Sequence, residues 1–218
     1  MLNYKPNELG VIILAGGHGT RMGGRDKGSV RVRGERLVDV VRRQLPYGAP
    51  VCVVSPFPLG LPQVCENPLF GGPAAGIAAG LKNLEARSLA PLRYIAVLSV
   101  DAPDSPQMLP KLLEKLAACE AQSSIPSVAA ALSGDFIQPL CALWRYDGLR
   151  QAVDSFDCLH NKSARRLLHT VPRLIAVPGT GAEMDYDTLA ELAEWERRRA
   201  MTTARPQSFR AGPFQPRS

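Results

Sequence analysis

A single-domain α/β fold, with a mainly parallel sheet covered on both faces by helices as a three-layer sandwich, is predicted by three features of the 218-residue sequence. Apolar runs of strand length alternate with helical patterns, as parallel strands joined by crossover helices require. Several of those runs, YIAVLSV above all, are apolar without interruption, which suits strands buried on both faces. The chain length also suits one core of good size, and nothing in the composition demands a second domain.

The elements follow in order. Val11 to Leu14 reads as the first strand and feeds a glycine-rich loop, after which Leu37 to Gln44 reads as a helix and Val51 to Ser55 as a strand. A second helix spans Ala74 to Ala86, with Pro73 suited to its first turn. Tyr94 to Val100 is a strand. Ser105 and Pro106 suit the cap and first turn of a helix running from Pro106 to Ala121. Val128 to Ala131, Pro139 to Trp144 and Leu174 to Val177 complete the strands. Gly148 to Ser155, Ser163 to Leu168 (with Ser163 as its cap) and Thr188 to Arg199 complete the helices. In such a sheet ligands bind beyond the carboxyl ends of the strands. The motifs that follow strands therefore fall on one rim.

The charge is unevenly placed. Of the net +6, +5 lies in Glu196 to Ser218, where six arginines face one acid. That stretch has three prolines and few aliphatic residues, so residues 1–195 are expected to form the domain and 196–218 a basic, disordered tail. A charge confined to the tail argues against a nucleic-acid binder. No run approaches the length of a membrane span, and MLNYKPNELG has neither the basic start nor the apolar core of a signal peptide, so a cytoplasmic protein is expected. Cys52, Cys65, Cys119, Cys141 and Cys158 show no paired metal spacing and are read as reduced, mostly buried thiols.

The loop LAGGHGTRMGGRDKG, Leu14 to Gly28, holds six glycines in fifteen residues. Glycine lets the backbone approach a ligand closely, and successive N–H groups can converge on an anion. Arg21 adds a rigid fork and Lys27 a compact charge, a pairing suited to a polyphosphate. The loop is not a P-loop, because Lys27 follows Asp26 and precedes Gly28 where a Gly-Lys-Ser/Thr triplet is needed. Nor is it the dinucleotide fingerprint, because Gly17, Gly19 and Gly23 are spaced two and four apart. Asp101, at the mouth of a buried strand, is costly without a partner and is left free to hold a cation by the better-placed cap at Ser105. Magnesium suits an oxygen ligand shared with phosphates. Asp187 in DYDTLAEL either caps the helix that begins at Thr188 or supplies a second carboxylate.

LAGGHGTRMGGRDKG resembles the signature of the molybdenum cofactor guanylyltransferases, members of the Rossmann-like α/β nucleotidyltransferases. Gly71 to Leu81 (GGPAAGIAAGL), Val97 to Pro103 (VLSVDAP), Gln138 to Leu143 (QPLCAL) and Asp185 to Leu192 (DYDTLAEL) extend the likeness in order along the chain. The resemblance implies magnesium-dependent transfer of GMP from GTP to the phosphate of molybdopterin, with release of pyrophosphate. It implies that Leu14, Ala15, Gly16 and Gly17 pass beneath the nucleobase and that Gly19 also binds the nucleotide. Arg21 and Lys27 would hold the leaving phosphates, Asp101 would bind magnesium, and Asp187 would be its second ligand. Gly16 and Asp26 match the guanine-using branch, whereas a cytosine-using branch has alanine at the place of Gly16. Ser55 stands where asparagine is frequent and Asn67 where aspartate is usual, so these two would meet the guanine and ribose. Implied partners are GTP, molybdopterin or the molybdenum cofactor, other cofactor-biosynthesis proteins and apo-molybdoenzymes. The residues alone leave two alternatives: cytidylyl or other nucleotidyl transfer to a different small phosphate, and a nucleotide-binding adaptor without turnover. Arg165 and Arg166 either grip the pterin phosphate or face solvent, and Gln138 and Pro139 either line the acceptor pocket or pack in a strand.

Overall fold

The computed structural model describes residues 5–17 and 26–203. The sheet begins with β1 (Leu9–Leu14), and a small hairpin of β2 (Arg31–Val32) and β3 (Glu35–Arg36) leads into helix α1 (Leu37–Arg42). Arg33 and Gly34, the two residues of that hairpin turn, both have positive φ, the geometry that matches the twist of a tight hairpin. Next come β4 (Val51–Val54), β5 (Gln63–Val64), α2 (Pro73–Arg87) and β6 (Tyr94–Ser99). A short 3-10 turn, Ser105–Met108, then opens α3 (Leu109–Glu120). The second half contains β7 (Ser127–Ser133), β8 (Phe136–Arg145), α4 (Tyr146–Asp154), α5 (Ala164–Leu168), β9 (Arg173–Pro178) and α6 (Leu189–Thr203).

Seven strands form one sheet in the order β5-β4-β1-β6-β8-β7-β9. All its pairings are parallel except those of β8, which runs antiparallel to both β6 and β7. The expected mainly parallel, three-layer α/β architecture is therefore present. Strand β1 shows why its sequence is apolar without alternation. Val11 and Ile13 pack with Val38 and Leu112 from α1 and α3, whereas Ile12 and Leu14 pack with Ile77 and Leu81 from α2. Each face of one strand lies under its own helix layer.

Helix α2 approaches the sheet closely. A Cβ on Gly80 would stand 2.7 Å from Ile12 Cγ2 and 3.2 Å from Val54 Cγ2, so glycine is the residue that lets this helix seat. Gly72, with φ +88°, occupies the position before Pro73 and turns the chain into the helix.

Three sequence expectations change. Ser105 is buried inside the 3-10 turn and its Oγ has no hydrogen-bond partner among the described residues, so it does not cap α3. Ser163 does precede α5, but its side chain makes no capping hydrogen bond. The boundary expected at residue 195 falls inside α6, which continues to Thr203 because it has partners there. Arg33 donates to the carbonyl of Glu196 at 3.0 Å, and Arg199 pairs with Asp104 at 3.0 Å. The remainder of the basic tail, 204–218, lies outside the described residues. Of the cysteines, Cys52 and Cys141 are buried, Cys119 is half-buried, and Cys65 and Cys158 are exposed, all as free thiols. No helix among the described residues is long and apolar enough to cross a membrane.

Candidate active site

The carboxyl ends of β1, β4 and β6 open onto a cavity of about 260 Å3. Leu14, Gly16 and Gly17 form its floor at the end of β1, Val54 and Pro56 one wall, and Gly72, Pro73 and Gly76 of α2 the other. Backbone hydrogen bonds fix that floor: Ala15 N–H donates to Val54 C=O at 2.9 Å, and Val100 N–H to Leu14 C=O at 3.1 Å. Gly16 is required by packing, because a Cβ there would stand 2.8 Å from Pro56 Cδ. Ala15 itself is buried behind the floor and is absent from the cavity lining. Gly19 and Arg21 lie outside the described residues.

Beyond the cavity floor stands a charged cluster. Lys27 Nζ lies 2.9 Å from Asp101 Oδ2 and 3.1 Å from Asp187 Oδ1, joining residues 74 and 160 positions apart. Each member is held from its own backbone. Asp26 shapes the turn that carries Lys27, accepting from Gly28 N–H at 3.1 Å and from the Ser29 hydroxyl. Asp101 follows β6, and its N–H donates to Ser99 Oγ at 3.2 Å. Its carbonyl accepts from Tyr186 N–H at 2.8 Å, the bond that brings the segment Asp185 to Asp187 to the rim. Glu183, buried in the preceding loop, anchors that segment further by accepting from the N–H groups of Thr180 and Gly181, both at 2.9 Å.

The helix-cap alternative for Asp187 is resolved by α6. Glu191 N–H donates to Thr188 Oγ1 at 3.2 Å, and Glu191 Oε2 accepts from Thr188 N–H at 2.9 Å and Asp187 N–H at 2.8 Å. Thr188 and Glu191 thus form a reciprocal capping box, which leaves the Asp187 carboxylate to the cluster. Asp185 is exposed.

The electrostatics follow from two carboxylates sharing one ammonium. Burial acts to lower the Lys27 pKa, but the hydrogen bonds and charges of Asp101 and Asp187 outweigh it and hold the ammonium above its ordinary value of 10.5. Burial pushes the Asp101 carboxyl up, the Lys27 ammonium pulls it down, and the Asp187 charge helps the net shift stay upward. One oxygen, Asp101 Oδ1, is buried with no hydrogen-bond partner among the described residues. Such an oxygen is costly to bury unless a cation meets it. Among the described residues no group of three or more His, Cys, Asp or Glu side chains could hold a metal ion. A cation here would therefore take its other ligands from substrate or water, as suits magnesium.

Two residues expected at the nucleotide, Ser55 and Asn67, do not line the cavity. Ser55 is 1% exposed, and its Oγ accepts from Phe57 N–H at 3.1 Å, so its side chain shapes the loop after β4 and its neighbour Pro56 meets the cavity. Asn67 is exposed, and the preceding Glu66 lines the cavity instead. Glu66 makes no hydrogen bond or ion pair with a described residue, and no sequence pattern distinguishes this acid in a proline- and glycine-rich loop. Leu140, two residues after Gln138 in β8, closes the far side. Arg165 and Arg166 are exposed on α5, and Lys162, two residues before that helix, accepts through its carbonyl from Ala74 N–H at the start of α2.

Residues 11–176 match the family model described as the MobA-like NTP transferase domain. The chain belongs to that family. Its members include proteins named molybdenum cofactor guanylyltransferase: the one from Vibrio atlanticus is 31% identical over 146 residues, 64% of this chain and 70% of that protein. The one from Serratia proteamaculans is 29% identical over 204 residues, 89% of this chain and 98% of that protein. The MobA-like fold is shared with molybdopterin-guanine dinucleotide biosynthesis protein A from Archaeoglobus fulgidus, with a TM-score of 0.59 and 18% identity over 88% of this chain and 98% of that one. In this chain Lys27, Asp101 and Asp187 meet beside the cavity that Gly16 and Gly17 line.

Proposed function

We propose that the protein transfers GMP from GTP to the terminal phosphate of molybdopterin, releasing pyrophosphate. The cluster of Lys27, Asp101 and Asp187 beside a base-sized cavity is the observation that carries this reading. Ligand pockets usually enclose about 300–1,000 Å3. The smaller cavity here, about 260 Å3, suits the base and ribose, with the phosphates lying outward over the cluster.

Base choice rests on Glu66 and the backbone around Gly16. An ionised carboxylate only accepts hydrogen bonds. Guanine presents two donors side by side on its Watson–Crick edge, N1–H and the N2 amino group, and Glu66 offers two oxygens to match them. Adenine and cytosine each place a lone pair next to their amino group, which such a carboxylate repels. Leu14, Val54, Pro56 and Phe70 supply the apolar faces between which the ring would lie.

The transfer itself needs positioning and charge neutralisation more than proton removal. The acceptor phosphate has a second pKa of about 6, so it is ionised at neutral pH without a general base. Lys27 would neutralise the departing pyrophosphate. Asp101 and Asp187 would hold magnesium, which when bound draws charge from the α-phosphate oxygens. Arg21 is proposed as a second cation on the leaving phosphates.

The test measures pyrophosphate release by purified protein given molybdopterin, magnesium and GTP, CTP, ATP or UTP in turn. Turnover is expected with GTP and only when molybdopterin is present. Preference for CTP would overturn the guanine assignment, and turnover with another phosphate but not with molybdopterin would overturn the acceptor.

A further inference from the structure

The cavity wall that follows β4 is held by a side chain that does not itself line the cavity. Ser55 to Pro62 (SPFPLGLP) joins β4 to β5 without regular secondary structure, and Pro56, Pro58 and Pro62 have no N–H to donate, which leaves this loop few backbone donors with which to brace itself. Gln63, the first residue of β5, supplies the brace. Its Nε2 donates to the carbonyls of Ser55 at 3.0 Å and Phe57 at 2.7 Å, and its Oε1 accepts from Leu59 N–H at 2.8 Å. The amide is matched at every point, its oxygen to an N–H and its nitrogen to two carbonyls.

The residues on this loop reach the site in two places. Pro56 lines the cavity and packs so close to Gly16 that a Cβ there would stand 2.8 Å from Pro56 Cδ. Phe57 meets Phe70, another lining residue, with ring centroids 6.2 Å apart and the planes tilted by 58°, a favourable aromatic pairing. Leu59, 2% exposed, packs on Gly28 and anchors the far side of the loop in the core. Ser55 is buried at the near side, so Pro56 to Pro58 is the stretch whose place over the cavity depends on the amide.

We infer that Gln63 is a positioning residue for base binding: by clamping Ser55, Phe57 and Leu59, its amide sets where Pro56 and Phe70 stand around the nucleobase. This rests on the reading of the cavity as the site of the base. Position matters because dispersion attraction is short-ranged, and a gap of about 0.5–1 Å forfeits about a quarter to a half of it. All three bonds go to the loop backbone and none to the cluster of Lys27, Asp101 and Asp187. The effect therefore falls on the base and spares the phosphates.

The experiment titrates the full chain, in the presence of magnesium, with GTP and with inorganic tripolyphosphate, which carries the phosphates without base or ribose. Wild type is expected to bind GTP more tightly than tripolyphosphate. Gln63→Glu keeps an oxygen for Leu59 N–H but, when ionised, has nothing to donate to the two carbonyls. Its affinity for GTP should fall at least about fivefold, while that for tripolyphosphate stays within about twofold of wild type. Gln63→Met, neutral and of similar length, should show the same selective loss, and it decides the matter if Gln63→Glu does not fold. Unchanged GTP affinity in a folded variant would overturn the inference. Equal losses for both ligands would also overturn it, because they mark a general loosening of the fold. Equal binding of the two ligands by wild type would instead remove the base-site reading, and the inference with it.

Discussion

At the scale of single residues, the site is built from groups whose burial would be costly apart and is tolerable together. Asp101 and Asp187 both accept from Lys27. Asp101→Asn should therefore leave the melting temperature within a few degrees of wild type while turnover falls to background; retained magnesium-dependent pyrophosphate release would refute its proposed role. The raised pKa of Lys27 means that its ion pairs contribute fully below its ordinary value of 10.5 and weaken only as pH climbs through the higher folded value. Glu66→Gln replaces one acceptor oxygen by a donor. Hydrogen bonds to charged groups contribute about 1.5–3 kcal/mol, so kcat/KM for GTP should fall roughly 10- to 150-fold, with a smaller change for the other nucleotides. An unchanged GTP preference would place guanine recognition elsewhere. Lys27 and Asp101 were legible in the sequence because each follows a strong local pattern, a glycine loop and a buried strand. Glu66 was not, since a lone acid in a loop has no periodicity, and beside Ser55 and Asn67 the cavity is lined by the next residue, Pro56, in one case and by the preceding one, Glu66, in the other.

At the scale of elements, the sequence carried the long strands and helices because continuous apolar runs and helical spacing are strong signals. It missed β2, β3 and β5, each of two residues and too short to show a period. It also could not show that β8 runs against its neighbours, since a buried strand reads the same in either direction. The glycines of α2 serve the packing and the cavity at once: Gly76 lines the cavity, and Gly80 seats the helix on Ile12. Gly80→Ala forces a Cβ to within 2.7 Å of Ile12 Cγ2. Overpacking of this kind costs about 1–3 kcal/mol, which a urea melt would report as a lower midpoint. An undiminished midpoint would mean that α2 shifts freely. At α6, Thr188→Ala removes one half of the capping box and should cost about 1 kcal/mol. Because Asp187 precedes that cap, the same change should also weaken nucleotide binding; a purely thermal effect would separate the helix end from the site.

At the scale of the whole molecule, α6 and the sheet are one unit. Trp195 Nε1 donates to Asp104 Oδ2 at 2.6 Å and Arg199 pairs with the other oxygen, so the last helix grips the loop that begins at Asp101. A chain ending after Thr203 should thus retain turnover, whereas one ending at Trp195 should lose stability and activity together; equal activity of the two would show that the grip is dispensable. The tail's composition alone suggested a boundary at 195, because arginine-rich sequence reads as solvated until its partners are seen. The core can be tested by its thiols. Burial raises the Cys52 thiol to about 11 and the Cys141 thiol to about 12. An alkylating reagent at neutral pH should label Cys65 and Cys158 quickly and reach Cys52 and Cys141 only on unfolding.

The reversed strand β8 has one more outcome. Its register with β6 ends at Leu98 opposite Cys141, so its first residues, Phe136 to Leu140, stand past the end of β6 beside the rim. The hairpin they form with β7 stands on one side of the rim, and its tip carries the exposed Phe136. Under the proposed transfer, lengthening that tip is expected to change the turnover of large acceptors more than the binding of nucleotide, which acceptor and nucleotide titrations would separate.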